Sequence, residues 1–422
     1  MARIAVASAV YLGDVAPYIP VATRLARAGH DVTFVAPEGF RSVLEPEPFR
    51  FVPYGLDSSP AAMHADPEHA RLMRHPYRNT ARLGAYWHHR TFAADPERAL
   101  ASLSSGFDGA DVVVSHPTMC SITIPVARSV GARVVAGQLF PMMIPTEHWS
   151  PPLGSRARRF PRPVNRLLWR TLRRMTARTF GDDVLNEVRA EYGLRPLVGN
   201  AGWAWTEADR TVVLVSPAYY GDGAPDWPAS VVWGGFSIWP GPTGARIDDE
   251  LEEYIADGEP PVVVTLGTSA TTGAGERFAA IAAGVRDAGI RTVLLVGDTA
   301  NLAAVADHPA ARTFAPLAPL LPRCRAAVVS GALGGIATAL TAGVPVVVHP
   351  QLFDQLWHAR RVEELGVGLA ARTPRQVISA VRRIVADPGF AHRAADLGAR
   401  LRTEDGAAVL ADVAAGLASA RT

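Results

Sequence analysis

The chain contains no lysine; all 42 of its basic residues are arginine. That excludes chemistry needing a primary amine in the site, including Walker-type phosphate loops, Schiff-base enzymes and pyridoxal-phosphate enzymes. Cysteine is nearly as scarce. Cys120 and Cys324 are far apart and form no metal or redox spacing, so free thiols in a reducing cytoplasm are expected. No apolar run reaches the length needed to cross a bilayer, which argues against integral membrane association. Ile4 to Leu12, after Arg3, reads as a first strand rather than a signal peptide. Charge of one sign is also missing: the net is +2, which gives no reason to expect nucleic acid. What is present is bulk. A chain of 422 residues, 48% of them hydrophobic, can bury a large core and is longer than one domain usually is.

Strand and helix patterns alternate through the first half. Ile4 to Val10 reads as a strand, Pro17 to Ala28 as a helix ended by Gly29, and Val32 to Ala36 as a strand. Val112 to Ser115, Ala132 to Ala136 and Thr211 to Val215 follow as strands, with Cys120 to Val130 as a helix. Ser237 to Arg246 carries Trp239-Pro240-Gly241-Pro242 and reads as a linker. The pattern then restarts with a helix near Asp248 to Ala256, strand Val262 to Leu266, helix Ala274 to Ala288 and strand Thr292 to Val296. Thr373-Pro374 and Asp387-Pro388 pair a cap with a first-turn proline, so the chain should end in three helices. Two doubly wound α/β sheets are implied.

The most informative stretch is Val328 to Gly368. Ala326 to Val329 is a buried strand, and Ser330-Gly331-Ala332-Leu333-Gly334-Gly335 turns it into a helix whose first N–H groups lack partners and attract anions. Val346 to Val348 is the next strand. The loop from His349 to Asp354-Gln355 leaves the same sheet edge, where open α/β folds bind ligands.

This arrangement resembles the donor signature of inverting glycosyltransferases of the GT-B fold, the family of bacterial natural-product, rhamnosyl, sterol and plant secondary-metabolite glycosyltransferases. Its pattern is roughly H-G-G-x-G-T, then A-L-x-x-G-V-P, then D-Q. Ala339-Leu340, Gly343-Val344-Pro345 and Asp354-Gln355 match in spacing. Ser330 replaces the phosphate-binding His, Ala332 the second Gly and Gly335 the Thr. Losing two such contacts costs roughly 2 to 4 kcal/mol, a hundred- to thousandfold in affinity.

The resemblance implies two Rossmann-like domains facing a central cleft. Residues 1–236 would be an acceptor-binding domain, 237–247 a linker, 248–403 a nucleotide-sugar domain and 404–422 a helix returning to the first domain. Asp14, in Gly13-Asp14-Val15-Ala16-Pro17, would be the general base, as in the branch with sterol and glycopeptide glycosyltransferases; the plainer alternative is an N-cap. His116 would orient Asp14 or touch the acceptor, or be an ordinary loop histidine. Gly13 and Gly267-Thr268-Ser269 would lie along the donor, phosphate falling to the latter, with an ordinary strand-to-helix turn as the alternative. Backbone groups at Ala315 and Leu317, in Phe314-Ala315-Pro316-Leu317, would read the uracil or thymine edge. Ser330, Gly331, Gly334 and Gly335 would hold diphosphate, and Asp354 and Gln355 the sugar hydroxyls.

Tyr86, Trp87, Met142, Met143 and Trp149 would line a small apolar or aromatic acceptor, or be core. The arginine-rich, acid-free segment Arg156 to Arg178 reads as a helix with one buried stripe, a peripheral contact with a membrane surface or acidic carrier being the alternative. No Asp-x-Asp spacing occurs, so no metal is expected, and no cofactor beyond a UDP- or dTDP-linked sugar. Because of the altered turn, an auxiliary protein with an impaired donor site and an enzyme with an unusual donor stay open beside the transferase.

Overall fold

The computed structural model describes residues 1–9, 11–55, 65–73, 75, 78–152, 156–267, 274–352 and 354–420. The chain divides into two compact units, Met1–Trp239 with Glu404–Thr422, and Pro240–Thr403. Each is an α/β unit around one wholly parallel sheet.

In the first unit the strands are β1 (Arg3–Ala7), β2 (Asp31–Pro37), β3 (Arg50–Tyr54), β4 (Val112–Ser115), β5 (Arg133–Gln138), β6 (Arg210–Val213) and β7 (Val231–Trp233), ordered β3-β2-β1-β4-β5-β6-β7. Val112, Val113 and Val114 of β4 are fully buried, because crossover helices cover both faces of a parallel sheet. The order reverses between β1 and β4, which pair in register from Ile4 with Val112 to Ala7 with Ser115. That is the switch point at which such sheets open a crevice beyond their carboxyl ends.

The C-terminal helix Gly406–Ser419 packs within this unit through Leu410, Ala411 and Ala414. Its entry is tied by Ser216 Oγ donating to Glu404 Oε1 at 2.8 Å. Only glycine fits at 406, where a Cβ would lie 2.2 Å from Gly235 O.

In the second unit β8 (Val262–Thr265), β9 (Thr292–Leu295), β10 (Ala311–Arg312), β11 (Ala326–Val329), β12 (Val346–Val348) and β13 (Gly368–Ala370) are ordered β10-β9-β8-β11-β12-β13. Here the switch point falls between β8 and β11. The loops after β8, β11 and β12 therefore leave one sheet edge side by side. Thr373 and Asp387 cap the helices Pro374–Ala386 and Pro388–Leu401 through Gln376 N–H and Gly389 N–H.

Two local expectations are corrected. The first strand stops at Ala7; Ser8 N–H still donates to Val35 O at 3.0 Å, while its Oγ turns to donate to Asp14 O at 2.6 Å. The helix expected from Pro17 begins earlier, as one turn over Leu12–Val15 and a 3-10 turn over Ala16–Tyr18 before Ile19–Arg27.

Candidate active site

Asp14 sits in the one-turn helix after β1 instead of preceding a helix as its N-cap. Its Oδ2 accepts from Tyr11 N–H at 3.3 Å, and its Oδ1 lies 3.4 Å from His116 Nε2. His116 reaches it because β4 is the neighbour of β1 and its N–H extends the ladder to Ala7 O at 2.9 Å. His116 Nδ1 lies 2.7 Å from Thr118 Oγ1 and 3.3 Å from Thr118 N, which turns Nε2 to face Asp14. That Nε2 is buried without a well-aligned hydrogen bond, so the contact with Asp14 is electrostatic.

Residues the sequence did not single out complete the surroundings. Tyr18 packs edge-on to His116 at 5.9 Å and donates to Gly137 O. Burial pushes the Tyr18 phenol well up, with the charges of Cys120 and Asp14 adding, so it stays neutral and a donor. Phe140 closes another side of the imidazole at 6.0 Å. Tyr11 stands edge-on to Trp87 at 4.8 Å, which joins Asp14 to the cluster of Trp87, Leu72 and Leu83. Tyr86 flanks Trp87 and donates to Asp66 Oδ2 at 2.7 Å.

Trp87 and Met142 pack in the interior, whereas Tyr86, Met143 and Trp149 are half-buried. Trp149 O accepts from Trp169 Nε1 at 2.9 Å, fixing the long helix Arg162–Phe180. That helix buries Asn165 and Trp169. Leu167 and Met175 on the same helix are 55% and 59% exposed, so its apolar residues are not all buried in one stripe.

At the second sheet edge, the helix Leu333–Thr341 begins at Ala332, which offers no capping side chain. Among the described residues, no side chain caps the first amides, including those of Gly334 and Gly335, and a Cβ on Gly334 would meet nothing within 4 Å. Ser330 is buried, and its Oγ accepts from Ala332 N–H at 3.4 Å. Two glycines make this packing possible. Gly267 has φ +69°, and a Cβ there would lie 3.0 Å from Ser330 Oγ; Gly331 has φ +92°, and its Cβ would meet Val348 Cγ1 at 2.7 Å and Gln355 Cβ at 3.2 Å. Thr268 and Ser269 lie outside the described residues. Gly13 stands in the turn Leu12–Val15 of the first unit. Phe314 is exposed, Ala315 is buried and Leu317 opens a one-turn helix.

Asp354 and Gln355 behave differently. Asp354 is the N-cap residue of the helix Gln355–Glu364, but its side chain makes no capping bond; its Oδ2 accepts from His358 Nε2 at 3.1 Å. His358 was not foreseen, although the i, i+4 spacing could have indicated it. Gln355 was expected to present its carboxamide to a sugar. Its Oε1 instead accepts from Gln351 N–H at 2.7 Å and Leu352 N–H at 3.2 Å, and the residue is buried. The oxygen is spent on satisfying its own loop.

Residues 282–411 match the family model described as Erythromycin biosynthesis protein CIII-like, C-terminal domain. O-mycaminosyltylonolide 6-deoxyallosyltransferase of Streptomyces fradiae is 28% identical over 420 residues, covering 96% of this chain and 94% of that protein. Glycosyltransferase GtfC of Amycolatopsis orientalis is 28% identical over 426 residues, covering 97% and 96%. Among solved structures, glycosyltransferase VinC in complex with dTDP superposes with TM-score 0.69 at 20% identity, covering 99% of each chain. CalG4, the calicheamicin glycosyltransferase, gives 0.68 at 20%, covering 99% and 98%. The fold is therefore GT-B, and the chain is a glycosyltransferase. Its C-terminal domain is EryCIII-like, and its relatives carry the names of antibiotic-pathway glycosyltransferases. No helix among the described residues is long and apolar enough to cross a membrane.

Proposed function

We propose that this glycosyltransferase inverts the anomeric centre, needs no metal, and moves a sugar from a UDP- or dTDP-linked donor to a hydroxyl group of a small natural product. The observation that carries the reading is the Asp14 carboxylate at the switch point of the first sheet, pinned by Tyr11 N–H and faced by His116. A carboxylate is ionised at neutral pH and can accept the proton of an acceptor hydroxyl. As that O–H bond breaks, the acceptor oxygen attacks the anomeric carbon on the face opposite the diphosphate. The carbon–oxygen bond to the diphosphate breaks and its electron pair leaves with the diphosphate. Attack from the opposite face inverts the centre. His116 is a positioning residue that holds Asp14 Oδ1.

In this reading the donor lies on the second unit. The uncapped amides from Leu333 to Gly335 take the charge that grows on the leaving diphosphate. Gly267 permits close approach, the Phe314–Leu317 backbone faces the pyrimidine, and Asp354, held by His358, accepts from sugar hydroxyls. The acceptor lies on the first unit, near the rings around Tyr86 and Trp87 and the segment Met142 to Trp149. The nucleotide sugar is the only small molecule required besides the acceptor. Support for the nucleotide comes from VinC, solved with dTDP, and for the sugar class from a relative named for transferring 6-deoxyallose.

The test is calorimetric titration with dTDP and UDP, followed by NMR of the product's anomeric configuration. Binding of at least one nucleotide and an inverted product are expected. No heat and no melting shift with either at millimolar concentration would overturn the donor reading, and a retained configuration would overturn the mechanism.

A further inference from the structure

With Ser330 in place of the imidazole, the turn from Ser330 to Gly335 offers a hydroxyl and amides but no positive charge. A cation is nevertheless fastened to the neighbouring loop. Arg277, in the first turn of the helix Gly275–Arg286 that follows β8 in the chain, donates from Nη1 to Gln351 Oε1 at 3.1 Å. Gln351 donates from Nε2 to His349 O at 3.2 Å and from its N–H to Gln355 Oε1 at 2.7 Å. Gln355 in turn packs against Gly331 of the turn. One chain of contacts thus joins the guanidinium to the helix start.

Arg277 is placed against electrostatic preference in two ways. It stands in the first turn of a helix, where the positive end of the helix dipole repels a cation. It is half-buried, and among the described residues no carboxylate forms an ion pair with it; burial alone pushes its guanidinium down. The most buried arginine, Arg189, pairs with Glu207 at 2.9 Å and Arg312 pairs with Asp248 at 2.8 Å, whereas the half-buried Arg173 and Arg291 donate to the backbone carbonyls of Val198 and Glu259; Arg277 instead donates to a side-chain amide of the loop beside the helix start. His349 does not supply the charge either. Its Nδ1 donates to Ala371 O at 2.7 Å, and burial together with the charge of Arg277 holds the ring neutral, the bond to Ala371 only partly opposing them. Local violations of this kind mark functional sites, since an unmatched cation is stabilised once an anion arrives.

We propose that Arg277 is a phosphate-binding residue of the donor site, giving the nucleoside diphosphate the positive charge that the signature's missing imidazole would otherwise give. The inference rests on the donor reading above. A guanidinium has five N–H donors, and among the described residues one of them is committed, to Gln351, so a bidentate grip on a phosphate remains open to it.

The experiment compares the full-length protein with Arg277→Gln, Arg277→Lys and Arg277→Met, titrating each with dTDP, UDP and thymidine and recording ligand-free melting curves. Arg277→Gln should weaken the diphosphates at least tenfold and leave thymidine within about twofold, because thymidine has no phosphate. Arg277→Lys, which keeps the charge, should recover part of the loss. The ligand-free melting temperature should hold or rise when the unmatched cation is removed, and Arg277→Met serves as a second neutral variant should Gln fold poorly. Unchanged dTDP affinity in the neutral variants, with wild type binding normally, overturns this inference alone. Equal loss of dTDP and thymidine together with a lower melting temperature reduces Arg277 to a strut for Gln351 and overturns it too. Wild-type protein that binds neither nucleotide removes both this inference and the donor reading.

Discussion

Asp14 Oδ1 and His116 Nε2 lie 3.4 Å apart although the two residues follow different strands. They meet because β1 and β4 pair in register at the point where the sheet reverses its order, so both loops leave the same edge. A pair formed in this way should act as a unit. Asp14→Asn is expected to lower turnover about 10²- to 10⁴-fold while leaving dTDP affinity unchanged, since the donor is assigned to the other unit. His116→Ala should cost less, and the double variant should be little worse than Asp14→Asn. Steady-state kinetics on a double-mutant cycle checks this, and additive losses would separate the two residues.

Sugar recognition should be separable from nucleotide binding. Asp354→Asn and His358→Ala both disturb the carboxylate that His358 Nε2 holds at 3.1 Å. Each is expected to raise KM for the sugar nucleotide about tenfold, the worth of one hydrogen bond to a charged group. Affinity for dTDP, which lacks the transferred sugar, should stay as it was. Parallel titration with dTDP and kinetics with the sugar nucleotide reads the difference.

Gly331→Ala should unfold the second unit early. A Cβ at φ +92° is strained, and it would press on Val348 Cγ1 at 2.7 Å and on the Gln355 backbone oxygen at 3.2 Å. Together these are expected to cost about 2 to 4 kcal/mol. Urea denaturation should show the loss, and dTDP affinity should fall with it as the turn shifts. Gly334→Ala, where a Cβ meets nothing within 4 Å, is the control and should keep its stability.

Acid should weaken the first unit through His88. The ring packs against Phe92 at 6.0 Å and Phe180 at 6.3 Å, and burial, with a smaller contribution from His89, holds its pKa down to about 4. Between that value and about 6.5 the unfolded chain binds a proton that the folded one refuses, so stability rises with pH across this window. The contribution is fully present above about pH 6.5 and is lost as pH falls toward 4, by the order of 3 kcal/mol. Denaturation at pH 7 and pH 4.5 measures the slope, which should flatten in His88→Gln.

The sequence alone carried the elements that are locally encoded. The strands Ala326–Val329 and Val346–Val348 stand where continuous apolar runs bounded by turn residues put them, and the caps Thr373 and Asp387 form the bonds that their position before proline implies. Other strands were illegible because their signals are tertiary. Pro53 argues against a strand, yet β3 tolerates it as an edge strand with no neighbour on one side. Gly368–Ala370 is too short and too poor in branched residues to read as β13 before its pairing with β12 is known.

The same division runs through the site. The uncapped helix start was legible in the sequence, because an anion-attracting turn is written in adjacent residues, whereas Asp14 and Asp354 were singled out only by the family resemblance. Folding alone set His116 beside Asp14, turned the Gln355 oxygen into its own loop and tied Arg277 to Gln351, which lies far along the chain. Sequence dictates what one turn of backbone can satisfy by itself. Which distant group meets the remaining donors and charges depends on the register between neighbouring strands, and that is decided only when the sheet closes.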